Sequence, residues 1–243
     1  MATIAVYNSK GGVGKTSLAV NLAWASATLS SRRTLLWDLD GQAAASFILG
    51  AKSKKPRKEA REVIERELPP EELIIATEIA NLDLLPADRS LHSLDVLFAE
   101  IDAKRRLRKI ADVLAKRYDR IIVDCPPGLG ITAEQIIRGA DLIVVPMVPS
   151  TLSGRAVAEL SDHLDARRKA APPVVPVFNL VDRRRMSHKQ AMAAAPDQVA
   201  IPMASAVEQM ADRRAPLGAY ASRSEAAKRI GELWVSLERR LTT

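Results

Sequence analysis

The chain has 243 residues, 47% hydrophobic and 27% charged, a balance that excludes intrinsic disorder and suits one soluble domain with a buried core. Its single cysteine, Cys125, excludes an intrachain disulfide framework and a thiolate-rich metal cluster. Lys and Arg total 36 against 29 acidic residues, a formal charge of +7 that favours contact with a polyanion without identifying one.

In chain order, residues 2–8 predict a short apolar strand, followed at once by the glycine-rich Lys10–Thr16 and an Ala/Leu-rich helical pattern from Ser17 to Leu29. Thr34–Trp37 predicts a second strand ending in Asp38, and Leu82–Leu85 a third ending at Pro86. Arg120–Val123 runs into Asp124, Leu142–Val145 ends at Pro146, and Val174–Asn179 reads as a further strand. Helical intervals fall at Lys104–Arg117, Leu152–Ala170, Ser187–Ala195 and Ser222–Leu241. Short apolar strands alternating with helices imply an α/β fold, a mostly parallel central sheet with helices on both faces, over one domain spanning 1–243.

The segment Lys52–Leu68 interleaves Lys52, Lys54, Lys55, Arg57, Lys58, Arg61 and Arg66 with Glu59, Glu62, Glu65 and Glu67. This reads as a solvated loop and helix with i,i+4 ion pairs, partner binding being the alternative. No apolar run approaches the roughly 18 residues a membrane helix needs, so a cytoplasmic chain without a transmembrane segment is expected.

Gly11, Gly12, Val13, Gly14, Lys15, Thr16 and Ser17 carry the strongest chemical signal. The run matches a P-loop, with Lys10 in place of its first glycine. Glycines let successive N–H groups face phosphates, and the following helix adds the positive end of its dipole. Lys15 would reach the β/γ-phosphates and the Thr16 hydroxyl would ligate Mg²⁺. A glycine turn with a capping threonine is the bland alternative. A dinucleotide fingerprint fits less well, because the adjacent Lys15 and Thr16 suit a nucleoside triphosphate and its metal.

Asp124, at a strand's C-terminal edge, would hold a metal-bound water, although an aspartate starting a turn looks the same. Asp38 and Asp40 flank Leu39, and two such carboxylates need a cation or donor between them. Asp38 would stay near Mg²⁺ with Thr16 and Asp124, and the water-orienting role is assigned to Asp40.

Three stretches, Lys10-Gly-Gly-Val-Gly-Lys-Thr16, Leu35-Leu-Trp-Asp-Leu-Asp-Gly-Gln42 and Ile121-Ile-Val-Asp-Cys-Pro-Pro-Gly128, resemble the ParA/MinD family of deviant Walker ATPases that position cellular cargo. The resemblance implies an Mg-dependent ATPase in which Lys10 reaches the phosphates of a partner in a nucleotide sandwich dimer. Asp38–Gln42 and Asp124–Gly130 then correspond to the two switch regions. The family usually has Pro where this chain has Gly41, which implies a more mobile first loop. Asn179 and the Ile201–Pro202 segment are the implied adenine contacts.

The last helical pattern aligns Ala226, Ala227, Ile230, Leu233, Trp234, Leu237 and Leu241 as one apolar stripe. On a lipid surface it would give a MinD-like spatial regulator; its glutamates fit a core-packed helix better. The expected surface function is therefore non-specific binding of double-stranded DNA, through Arg183, Arg184, Arg185, Arg213, Arg214, Arg223, Lys228 and Arg229. No helix-turn-helix extension is visible before the first strand. The resemblance also implies an ATP-dependent homodimer, a hydrolysis-stimulating activator protein and nucleoid association, while a metabolic P-loop enzyme is a third reading.

Overall fold

The computed structural model describes residues 1–50, 58–65, 68–101, 105–150, 153–155, 157 and 171–242, the last without its side chain. Lys52, Lys54, Lys55, Arg57, Arg66 and Glu67 of the mixed-charge segment lie outside these residues, as does most of the expected helix Leu152–Ala170.

Eight strands form one sheet in the order β3-β4-β2-β5-β1-β6-β7-β8. They are β1 (Ala2–Val6), β2 (Thr34–Asp38), β3 (Ile75–Ala76), β4 (Leu82–Leu85), β5 (Arg120–Asp124), β6 (Leu142–Met147), β7 (Val174–Val181) and β8 (Ala200–Pro202). All neighbours are parallel except the edge pair β3–β4. A parallel sheet must be covered on both faces, and the alternation along its strands shows how. Ala5, Leu35, Trp37, Ile121 and Val123 face one core, Ile4, Val6, Leu36 and Ile122 the other.

On the first face lie α3 (Ala60–Glu65), α4 (Leu94–Glu100), α5 (Arg106–Leu114) and α6 (Ile131–Gly139). On the second lie α1 (Lys15–Leu29), α2 (Ala44–Leu49) and the C-terminal helix Glu225–Thr242. Helix α1 is buried along most of its length, including Leu18, Val20, Leu22 and Ala25, because it is sandwiched between the sheet and the C-terminal helix. Small alanines allow that double contact.

The apolar stripe of the C-terminal helix is core: Ala226, Ile230, Leu233, Trp234 and Leu237 are buried, and the Trp234 indole N–H donates to Ser30 Oγ at 2.8 Å. Glu238 accepts from the buried Arg120 Nε at 2.6 Å and from Arg32 at 3.2 Å, which ties the helix to the start of β5. The stripe is thus unavailable to a lipid surface. Among the described residues no helix is long and apolar enough to cross a membrane.

Two strands outrun their expected ends. Strand β6 continues through Pro146 to Met147, since β1 pairs with it only as far as Val144 and a proline beyond that point breaks no ladder bond with β1. Strand β7 continues past Asn179 to Val181 through an irregularity between Phe178 and Val181, with Leu180 at φ 54°.

Candidate functional site

The parallel register brings the acidic residues together. Val6 lies beside Asp124, and Asp124 beside Asp38, so β1, β5 and β2 end at one edge of the sheet and the glycine loop starts there. Ligand sites of open parallel sheets sit at this edge.

The loop turns through Gly12 at φ 71° and Gly14 at φ 85°, conformations that side chains disfavour. Gly14 also faces Asn179, whose Nδ2 occupies the space a Cβ would need. That amide donates to Val13 O at 2.9 Å. Lys15 is buried, and its ammonium donates to Lys10 O at 2.8 Å. Burial lowers the Lys15 pKa, opposed by the charges of Asp124, Cys125 and Asp40. The lysine thus folds back onto its own loop. The Lys10 side chain, by contrast, is exposed.

Asp124 is fully buried, and neither carboxylate oxygen has a hydrogen-bond partner. Its pKa is raised well above the usual range by burial and by Asp38; Thr16 and Lys15 pull it back. Buried polar groups are nearly always satisfied, so an orphaned carboxylate beside a hydroxyl and a lysine fits a cation and its water shell.

Asp38 differs. It is equally buried, but Oδ2 accepts from Ser46 N at 2.8 Å and Ser46 Oγ at 2.7 Å, and Oδ1 from Asp40 N at 3.1 Å. Burial raises its pKa to about 6 against these donors. The bonds fix the loop, and of the two carboxylates only Asp124 is left without a partner. Asp40 is half-buried, its Oδ1 accepting from Gln42 N at 2.9 Å and its backbone O from Ala43 N at 2.7 Å. Gly41 lies under His92: a Cβ there would stand 2.6 Å from His92 Nδ1 and 2.9 Å from its backbone N. The glycine permits close packing, which opposes the expectation of a mobile loop.

The second loop is hooked at Gly128, φ 126°, whose N–H donates to Ser9 O at 3.1 Å and whose carbonyl accepts from Tyr7 OH at 2.7 Å. Burial pushes the Tyr7 phenol up to about 12, so it stays a donor.

Asn179 and Pro202 share a small cleft with Ser17, Leu180, Met203 and Glu208. The structure thus joins the two expected base contacts, although the Asn179 amide is committed to the glycine loop. The basic candidates separate by partner. Arg184 pairs with Asp182 at 3.0 Å, Arg229 with Glu225 and Glu232 at 2.9 and 2.8 Å, and Arg183 with Glu225 at 4.0 Å. Arg213 stacks on Tyr220 at 4.8 Å and Arg214 on Phe47 at 4.2 Å. Arg185, Arg223 and Lys228 are exposed and show no ion pair among the described residues.

Sequence reasoning passed over Tyr7, Ser46 and His92. Tyr7 stood inside an apolar strand, and nothing in residue spacing links Ser46 to Asp38 or His92 to Gly41.

A sequence-family model described as an AAA domain matches residues 1–173. The chromosome partitioning protein ParA of Myxococcus xanthus is 35% identical over 171 residues, 70% of this chain and 60% of that protein's length. Among solved structures, a cobyrinic acid a,c-diamide synthase from Mycobacterium smegmatis with bound ADP and magnesium superposes with a TM-score of 0.80 and 24% identity, over 100% of this chain and 96% of the other. The septum site-determining protein MinD from Pyrococcus horikoshii, complexed with Mg-ADP, gives 0.80 and 21%, over 99% and 97%. These structural likenesses speak for the fold alone.

Proposed function

Because the chain belongs to this AAA-domain family of ParA/MinD-type partition ATPases, we propose that it binds ATP with Mg²⁺ at the edge formed by β1, β5 and β2 and hydrolyses it to ADP and phosphate. The observation that carries this reading is the fully buried Asp124 carboxylate, unpartnered beside Lys15 and Thr16. Mg²⁺, when bound, neutralises phosphate charge. Thr16 and Asp124 would hold it and its water, with Asp38 behind them shaping the loop.

The backbone N–H groups of Gly11–Thr16 cradle the phosphates at the start of α1, and Lys15 exchanges the Lys10 carbonyl for them. Asp40, on its tight turn, orients the attacking water, and Ser17, Asn179 and Pro202 line the base side. Lys10 stays exposed in one chain and would complete the phosphate charge of a second, making the ATP state a homodimer and hydrolysis its timer.

The dimer would bind double-stranded DNA non-specifically, since pairing two chains of charge +7 doubles the basic surface. An activator protein that stimulates hydrolysis would then deplete the bound dimer around a cargo, giving a cytoplasmic, nucleoid-associated positioning switch built as a single ATPase domain. The burial of the C-terminal stripe favours DNA over a lipid surface.

Equilibrium binding of a slowly hydrolysed ATP analogue, with and without Mg²⁺, and phosphate release test the reading. Lys15→Ala should lose affinity for the analogue, whereas Asp40→Ala should keep it and lose turnover. Equal turnover in wild type and Asp40→Ala would contradict the assignment of Asp40.

A further inference from the structure

Away from the phosphates, one segment touches both acidic loops. The 3₁₀ segment Arg89–Ser93 and α4 bury Leu91, Leu94, Leu97 and Phe98 in the core. Asp88 pins the start: Oδ1 accepts from Ser90 N and Oδ2 from Ala60 N, both at 2.8 Å, while Ser90 Oγ accepts from Arg61 N at 3.0 Å. The segment is therefore fixed from behind.

From its exposed side two residues spaced i,i+3 reach the loops. His92 covers Gly41, the residue next to Asp40. Asp95 covers Gly130, where a Cβ would stand 2.6 Å from the Asp95 Cγ, and its Oδ1 accepts from Thr132 N at 2.7 Å. Both loops thus have a glycine where a side chain would collide with this segment. Neither His92 nor Asp95 is buried, so neither is needed to fill the core.

We propose that residues 88–100 form a brace that holds the 40–43 and 128–132 loops in register for hydrolysis, with His92 and Asp95 as its two positioning residues. The inference rests on the nucleotide reading above and adds to it a part acting on the rate alone. A water-orienting carboxylate tolerates little displacement, and a misplacement of about 1 Å costs up to about a hundredfold. Gly41 replaces the stiffness of a proline with a contact to a fixed wall. Because both loops rest on one fixed element, losing either contact breaks the register that hydrolysis needs.

The test measures single-turnover ATP cleavage, affinity for a slowly hydrolysed analogue and the thermal midpoint in wild type, His92→Ala, Asp95→Ala, Asp95→Asn, Gly41→Ala and the His92→Ala/Asp95→Ala double variant. Cleavage should slow about tenfold in both single alanine variants and in Gly41→Ala, with affinity within about twofold; the midpoint should hold in His92→Ala and fall modestly in Asp95→Ala, which loses the bond to Thr132 N, and in Gly41→Ala, whose Cβ meets His92. Asp95→Asn, which keeps an acceptor for Thr132 N, should recover part of the rate. The double variant should be no slower than the slower single. Unchanged rates, parallel loss of affinity and midpoint, or a double variant that multiplies the single effects would each overturn the brace. A wild-type chain that binds no analogue would remove the nucleotide reading and the brace together, whereas wild-type cleavage matched by every variant would remove the brace alone.

Discussion

Among the described residues Asp124 is a buried carboxylate without a donor, and its neighbour Asp38 shows the contrast by accepting three hydrogen bonds. Asp124→Asn should therefore raise the thermal stability of the nucleotide-free protein, on the order of 1–3 kcal/mol, while abolishing any gain in nucleotide affinity from Mg²⁺. Thermal unfolding paired with titration of the analogue checks both halves; a less stable variant that still responds to Mg²⁺ would contradict them. Asp124, Lys15 and Thr16 could be singled out in the sequence because a short run of glycines and a strand-end carboxylate mark them locally, and the structure brings the three together. Ser46, Tyr7 and His92 were not, because each acts across a contact that only the folded sheet creates. Gly41 shows the same limit: its departure from the family's proline suggested looseness, and the structure has His92 packed against it.

At the scale of elements, the alternating strands and long helices were readable from periodicity, including β4 with both ends correct. Strand β8, the two-residue β3 and short helices such as α2 were missed, since two to six residues carry too little pattern to stand out, and the nine-residue α6 was missed as well. Prolines misled at β6, where β7 pairs with the strand through Pro146 to Met147 while β1 has already stopped pairing. The C-terminal helix offered two readings from one stripe, and packing against α1 decides for the core. Trp234→Ala should cost about 3–5 kcal/mol, read by denaturant unfolding. Trp234→Phe, which loses chiefly the bond to Ser30, should cost about 1 kcal/mol. A change below about 1 kcal/mol for Trp234→Ala would contradict the buried placement.

For the whole molecule, net charge pointed to a polyanion, and the structure refines which charges are available for one. Arg184 and Arg229 are neutralised by acidic neighbours, whereas Arg223 and Lys228 stand unpaired among the described residues. On the proposed DNA-binding function, alanine at Arg223 and Lys228 should weaken binding across all sequences and reduce the salt dependence by about one unit of slope per phosphate contact. Alanine at Arg184 and Arg229 should change it far less, and the opposite ranking in a salt titration would contradict this surface assignment. The proposed switch depends on a triphosphate joining two chains through Lys10. Light scattering of wild type and Lys10→Ala, each saturated with a slowly hydrolysed ATP analogue and Mg²⁺, tests it most directly. Wild type should show twice the mass of one chain with the analogue and a single chain with ADP, while Lys10→Ala binds the analogue and stays single. A wild-type chain that remains single when saturated, or a Lys10→Ala variant that pairs as readily, would contradict it.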